Sequence, residues 1–182
     1  KRMPIKIYLG ESFHTDRVGV TDAGLEWGAY RMKSGSDWLV LLGKDTDFTP
    51  LGIWGRHRGH WINDASRDWD EATSETHHWG NPIGGRLWGK YNGETNLWAH
   101  DQKGTLNAVY AFLRGLGVRW LMPGELGEIV PRKETIELPD VDQTVVPDCR
   151  IRKWSFSKYS LQRAEDEVIW GLRLGVNDPY GF

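Results

Sequence analysis

A chain of 182 residues, 39% hydrophobic and 26% charged, suits one globular domain or a domain plus a fragment of another. A formal net charge of -2 gives no global positive field to recruit nucleic acid or an anionic membrane, and no apolar run approaches the roughly 20 residues of a spanning helix. The single cysteine, Cys149, excludes an internal disulfide and a cysteine-rich zinc site.

The first element is the segment "PIKIYLG", where Ile5, Ile7 and Leu9 alternate on one face of a strand that Gly10 stops. The polar, glycine-punctuated stretch "ESFHTDRVGVTDAG" is a loop with room for one short helical turn. Leu25–Lys33 and Trp38–Leu42 then read as a hairpin across the turn residues Ser34, Gly35, Ser36 and Asp37. Residues 45–101 carry little sustained periodicity. A stretch of that length inside a compact domain is usually functional or disordered, and six of the chain's 11 tryptophans fall within it, which argues for order. Short helical pieces are expected near Pro50–His57 and Asn63–Thr73.

The segment "GTLNAVYAFLRGLGVRWLMPGELGEIVP" follows. Leu106, Val109, Tyr110, Leu113 and Leu116 keep helical spacing, with Ala108 and Phe112 widening the apolar stripe. Asp101 or Thr105 is available to cap the start of this helix, and Gly115 and Gly117 end it. Val118–Met122 reads as a strand closed by Pro123-Gly124, so the helix packs on a sheet and feeds straight back into it. "EIVP" and "ETIELP" read as two more short strands around Arg132-Lys133, and "DVDQTVVPD" as a linker. "CRIRKWSF" resembles a new strand, and "AEDEVIWGLRLGVN" a helix. The expected fold is therefore α+β: a mixed sheet of short strands with one main packing helix, Gly104–Leu116, plus the truncated start of an α/β domain. The expected division is 1–147 and 148–182, with the tryptophan-rich insertion at about 45–101.

Several patterns invite a chemical reading. His57 and His60 lie three apart in "RHRGHW", but there is no His-Glu-x-x-His pattern and no cysteine set, so no metal and no cofactor is assigned. "GNPIGGRLWGKYNG" lacks the Lys-Ser/Thr of a phosphate loop and reads as a series of turns. Trp54, Trp61, Trp79 and Trp88 stand beside Arg56, His57, Asn63, Asp64, Asn81 and Arg86. Flat apolar faces ringed by oriented polar groups suit an oligosaccharide or polysaccharide, although the same tryptophans would also staple a long loop to its domain. Carboxylates are plentiful, but spacing alone does not make any pair converge as a glycosidase requires. The candidate substrate-binding residues are Trp54, His57, His60, Trp61, Trp79, Trp88 and Arg152, and no catalytic residue is assigned within the chain.

Gly-Thr before an apolar helix with a "Y-x-F-L" core, then "LGVRW", a Pro-Gly and "VP", resembles the N-terminal non-catalytic domain of α-glucuronidase-type glycoside hydrolases. It is also similar to the second domain of β-N-acetylhexosaminidases. "IKIYLGES" resembles the strand of that family that ends in a glycine, and the passage into "CRIRKW" resembles the entry to the catalytic (β/α)8 barrel. The resemblance covers Ile5–Leu42 and Gly104–Pro139 well and Arg150–Asn177 weakly. Two features depart from the family pattern: the strand and helix that precede "IYLG" are missing, which implies an N-terminal truncation, and the tryptophan-rich insertion is far longer than the family's connection. The resemblance implies an accessory region of a carbohydrate-active enzyme, partnered by its own downstream barrel, in a secreted or periplasmic protein. The acid and base carboxylates would then lie beyond Phe182. The alternatives are a stand-alone carbohydrate-binding module that uses the insertion, or a purely structural domain.

Overall fold

The computed structural model describes residues 5–46, 102–150, 152 and 164–177. Its centre is the apolar run Trp38–Gly43, strand β3, whose residues Leu39, Val40, Leu41 and Leu42 are all at most 1% exposed. A strand with no polar face must be covered on both sides, and β3 is. Leu39 and Leu41 pack with Met32 and Ala108 on one face, while Val40 and Leu42 pack with Val20, Leu25 and Ala29 on the other. On one side of β3 runs β1 (Lys6–Leu9), parallel to it, and on the other β2 (Tyr30–Ser34), antiparallel. A two-residue strand pair, β4 (Asp45–Thr46) with β5 (Gln102–Lys103), lies apart from this sheet. The sheet is mixed and its strands are short, so the fold is α+β as expected.

Three short α-helices are present among the described residues. Helix α1 (Phe13–Arg17) begins in a capping box in which the Ser12 amide donates to Thr15 Oγ1 at 2.8 Å and the Thr15 amide donates to Ser12 Oγ at 3.4 Å. Helix α2 (Gly104–Gly115) lies over β2 and β3 and sets Ala108, fully buried, against Leu39 and Leu41. Thr105 does not cap it, and Asp101 lies outside the described residues. Its N-cap, Lys103, makes no side-chain capping bond, and the Thr105 amide instead donates to Asp45 Oδ1 at 3.0 Å, a carboxylate well placed at a helix N-terminus. Gly43 and Gly104 allow the end of β3 to touch the start of α2. A Cβ on Gly43 would fall onto the backbone of Gly104, and one on Gly104 would lie 2.6 Å from the Lys44 nitrogen.

Both longer helices end alike. Gly117 takes a φ of 98°, the Gly117 amide donates to the Arg114 carbonyl, and the Val118 amide donates to the Leu113 carbonyl. In helix α3 (Ala164–Arg173), Gly175 takes a φ of 85°, with Gly175 bonded to Leu172 and Val176 to Gly171. These are Schellman closures, and the sequence Leu-Gly-Val writes each of them, at 116–118 and 174–176.

The structure corrects several expectations. Ile5, Ile7 and Leu9 are 46%, 50% and 60% exposed, because β1 is an edge strand and α2 covers only β2 and β3. The first hairpin strand starts at Tyr30, five residues later than the alternation suggested, and residues 25–29 are not strand but hold a turn at Trp27-Gly28. Strand β6 (Arg119–Trp120) does not rejoin the main sheet but pairs with β7 (Glu128–Ile129). "ETIELP" is not a strand. The presumed linker contains β8 (Asp142–Val145), antiparallel to β2 on the far edge, which closes the order β1-β3-β2-β8. The helical pieces expected near 50–57 and 63–73 lie outside the described residues, and no described helix is long and apolar enough to cross a membrane.

Candidate functional site

Of the seven candidate binding residues, Trp54, His57, His60, Trp61, Trp79 and Trp88 lie outside the described residues. Arg152 is described, and it sits at the junction where the chain after β8 meets both the 25–29 turn and the end of α3. Its guanidinium holds three backbone carbonyls: Nε donates to Gly175 O at 2.7 Å, and Nη1 donates to Cys149 O at 2.6 Å and Trp27 O at 3.2 Å. Its own backbone pairs with Asn177, whose Oδ1 accepts from the Arg152 amide at 2.7 Å and whose amide donates to Arg152 O at 3.1 Å. Burial draws the guanidinium below its ordinary pKa, opposed by the nearby Cys149 thiol, and a group with so high a starting value stays charged.

The turn it grips is unusual. Trp27 has a φ of 57° and is the one non-glycine residue with positive φ among the described residues. A bulky side chain in the left-handed region is a true outlier and persists only where its surroundings over-determine it. Here the surroundings do so from two remote parts of the chain, because the Trp27 amide donates to Gln102 Oε1 at 3.3 Å while its carbonyl accepts from Arg152. Gly28 follows, with a φ of 86°, its carbonyl accepting from Asn107 Nδ2 at 2.9 Å. A Cβ on Gly28 would lie 2.6 Å from that Nδ2 and 2.7 Å from Arg152 Nη2, so glycine is required on both counts. Arg152 Nη2 is buried and has no hydrogen-bond partner.

Trp27 stays 45% exposed, and the Arg150 guanidinium carbon lies 5.1 Å from its ring centroid. As alternate residues of a strand "CRIRKWSF", Arg150 and Arg152 would share one face. The residues described at 148–150 and 152 are not strand, yet both arginines converge on Trp27, one on its ring and one on its carbonyl. No spacing pattern marks Trp27. The tryptophan cluster drew attention to 45–101, and a lone tryptophan before a glycine carries no periodic signal.

Other polar groups are already engaged. Along a shallow groove beside β2, Arg31 donates to Thr21 O and Ala23 O, and Lys33 pairs with Asp142 at 3.0 Å. A second cleft sets Glu125, Glu128 and Asp166 near Arg173, but Glu128 Oε2 is taken by Arg173 Nη1 at 3.0 Å and by the Trp120 indole N–H at 3.1 Å. Among the described residues no group of three histidine, cysteine or carboxylate side chains is arranged to hold a metal ion. No family model matches the chain, and no match is found among curated proteins or solved structures.

Proposed function

We propose that this chain is the N-terminal accessory region of a carbohydrate-active enzyme, most similar in kind to α-glucuronidase-type glycoside hydrolases, and that it supports a catalytic barrel and shapes one side of a sugar-binding cleft. The observation that carries this reading is the segment Gly104–Pro131, on which the resemblance rests. Its helix lies on the sheet, turns at Gly117, and leads directly into β6. The Arg152 junction supports the same reading, because an accessory domain must fix the chain that leaves it, and Arg152 ties that chain to Trp27 and to the end of α3. The chain contributes no assigned acid or base carboxylate, and catalysis belongs to the barrel.

The reading frame past Phe182 tests this directly. A following (β/α)8 barrel with two convergent carboxylates is expected, and a frame without one defeats the proposal. The tryptophan-rich insertion favours a second reading, a stand-alone carbohydrate-binding module. Titration of the chain with xylo- and chito-oligosaccharides separates the two: saturable binding abolished by Trp61→Ala supports the module, and silence with every ligand supports the accessory role. Turnover of an aryl glycoside by the chain alone would contradict both.

A further inference from the structure

We infer that the outer face of the β6–β7 ribbon is a docking surface for the domain that α3 begins, so that this domain holds the ribbon from both sides. The inference rests on the reading above that a further domain follows, and adds the surface on which it sits.

The ribbon is apolar on both faces. Its register sets Arg119 beside Ile129 and Trp120 beside Glu128, and the Leu121 amide carries the pairing one step further by donating to Gly127 O at 2.8 Å. Alternation therefore sends Trp120 and Glu128 to one face, and Arg119, Leu121 and Ile129 to the other. The inner face is covered. Trp120 is buried, met edge-on by Tyr110 and overlaid by Arg173, and Glu128 is held by Arg173 and the Trp120 indole. The outer face is bare. Leu121 is 64% exposed and Ile129 is exposed on the same face, while Met122, Leu126 and Val130, next to them in the chain, are exposed as well. Five large apolar residues within ten positions make a patch, unlike the single apolar side chains scattered over an ordinary surface. Arg119 adds no free charge to it, because its guanidinium turns back to the Arg114 and Val118 carbonyls. A strand apolar on both faces calls for cover on both, as β3 has.

What covers it follows from what already lies against the ribbon. Helix α3 runs along it. Asp166, in its first turn, reaches Gly124, where a Cβ would lie 3.3 Å from Asp166 Oδ2. The Trp170 indole donates to Trp120 O, and Arg173, the last residue of the helix, pairs with Glu128. The ribbon is thus one half of an interface whose other half is a helix of the next domain, and the bare face continues that interface around the turn Glu125–Gly127. The turn is held in shape by glycine, since a Cβ on Gly127 would fall onto the Met122 backbone. An apolar face without free charge suits a permanently joined partner, whose contact resembles a core cut in half, and not one that comes and goes.

The experiment compares residues 1–182 with the protein of the whole reading frame by hydrogen–deuterium exchange and thermal melts, each as the parent, as Leu121→Glu and as Ile136→Glu. Ile136 is the control, 56% exposed and beyond the ribbon. Amides of 119–130 should exchange at least about tenfold more slowly in the longer protein than in 1–182. Leu121→Glu should return them to the rate seen in 1–182. It should lower the melting temperature of the longer protein by about 3 °C or more and leave that of 1–182 within about 1 °C of the parent, while Ile136→Glu shifts neither. Equal exchange in the two proteins overturns the docking. So does a Leu121→Glu loss as large in 1–182 as in the longer protein, which means the ribbon is covered within this chain. So does a dimer of 1–182 in sedimentation that Leu121→Glu dissolves, which gives the face to a second copy. Slow ribbon exchange beside a following domain that is not a (β/α)8 barrel sustains the docking and defeats only the glycosidase reading. A barrel that leaves the ribbon exchanging freely does the reverse, and a frame without a further domain defeats both.

Discussion

A pair of glycines decides whether α2 can lie on the sheet at all. Gly43 closes β3, Gly104 opens α2, and the two backbones touch where the Gly104 amide donates to Lys44 O at 3.0 Å and the Gly43 amide donates to Thr105 Oγ1 at 3.1 Å. Added methyls would meet backbone, which does not swing aside as the end of a flexible side chain does. A Cβ on Gly43 would also lie 2.7 Å from the Ala29 carbonyl oxygen. Gly43→Ala and Gly104→Ala should each cost about 2 to 4 kcal/mol in urea unfolding. Gly115 is the control. It is helical, has no positive φ, and a Cβ there meets nothing within 4 Å, so Gly115→Ala should stabilise by about 0.5 to 1 kcal/mol. If Gly43→Ala unfolded at the parent's denaturant midpoint, the close approach of strand and helix would be wrong. The sequence shows these glycines as punctuation, but it does not show that residues 43 and 104 face each other. That pairing spans the whole tryptophan-rich insertion.

Among the elements, β3 was legible because its composition leaves one physical solution. An apolar run with no polar face must be buried on both sides, whatever the fold around it. Helix α2 was legible from its 3.6-residue stripe, and its last turn from Gly117. The edge strands were not legible, for opposite reasons. The β1 alternation of Ile5, Ile7 and Leu9 describes a face that could be buried, but burial depends on how far α2 reaches, and α2 stops at β3. The register places Ile7 beside Leu39 and Leu9 beside Leu41, on the helix side yet beyond the helix. Strand β8 is polar and exposed except at Val145, so no hydrophobic alternation announces it, and its identity as a strand comes from backbone pairing to β2. Truncation should separate these cases. Leu39→Ala and Leu42→Ala should each cost about 2 to 5 kcal/mol, since both side chains are fully enclosed. Ile7→Ala should cost less than about 1 kcal/mol because half of the side chain is already in water. Chemical denaturation of the three variants ranks them, and an Ile7→Ala loss as large as that at Leu39 would mean β1 is covered. At the candidate site, Arg152 was legible as a charged residue beside the expected domain entry. Trp27 was not, because its interest lies in a backbone angle that residue type argues against.

At the scale of the whole molecule, one cluster ties α3 to the rest of the fold. The Arg173 guanidinium pairs with Glu128 at 3.0 Å and lies 5.3 Å from the centre of the Trp120 ring, the Trp170 indole N–H donates to Trp120 O at 2.8 Å, and Arg114 donates to Arg173 O at 2.7 Å. Leu172 and Val176 are buried beneath these contacts. Tyr110 closes the cluster from α2. Its ring meets Trp120 edge-on at 5.3 Å, with the Arg173 guanidinium close enough to act on its hydroxyl. Burial raises the Tyr110 pKa above the usual phenol value, and it prevails over the charge and hydrogen bond of Arg173, which pull the other way. The sign follows directly. The folded state holds this proton more tightly than the unfolded state, so the stabilisation is fully present below the ordinary phenol pKa of about 10 and is lost as pH rises through the raised folded value. Tyr30, raised for the same reason of burial, adds to the same alkaline loss from the sheet side of α2. Melting temperature should therefore fall as pH rises above about 10, and the fall should be shallower in Tyr110→Phe, which keeps the ring against Trp120 and removes the ionisable group. Arg173→Met should move the fall attributable to Tyr110 to higher pH, because it removes the cation that favours the phenolate, while lowering stability at neutral pH by leaving Glu128 with only the Trp120 N–H. A Tyr110→Phe profile as steep as the parent's would show that the phenol at the α2–α3 contact does not set the alkaline limit of the fold.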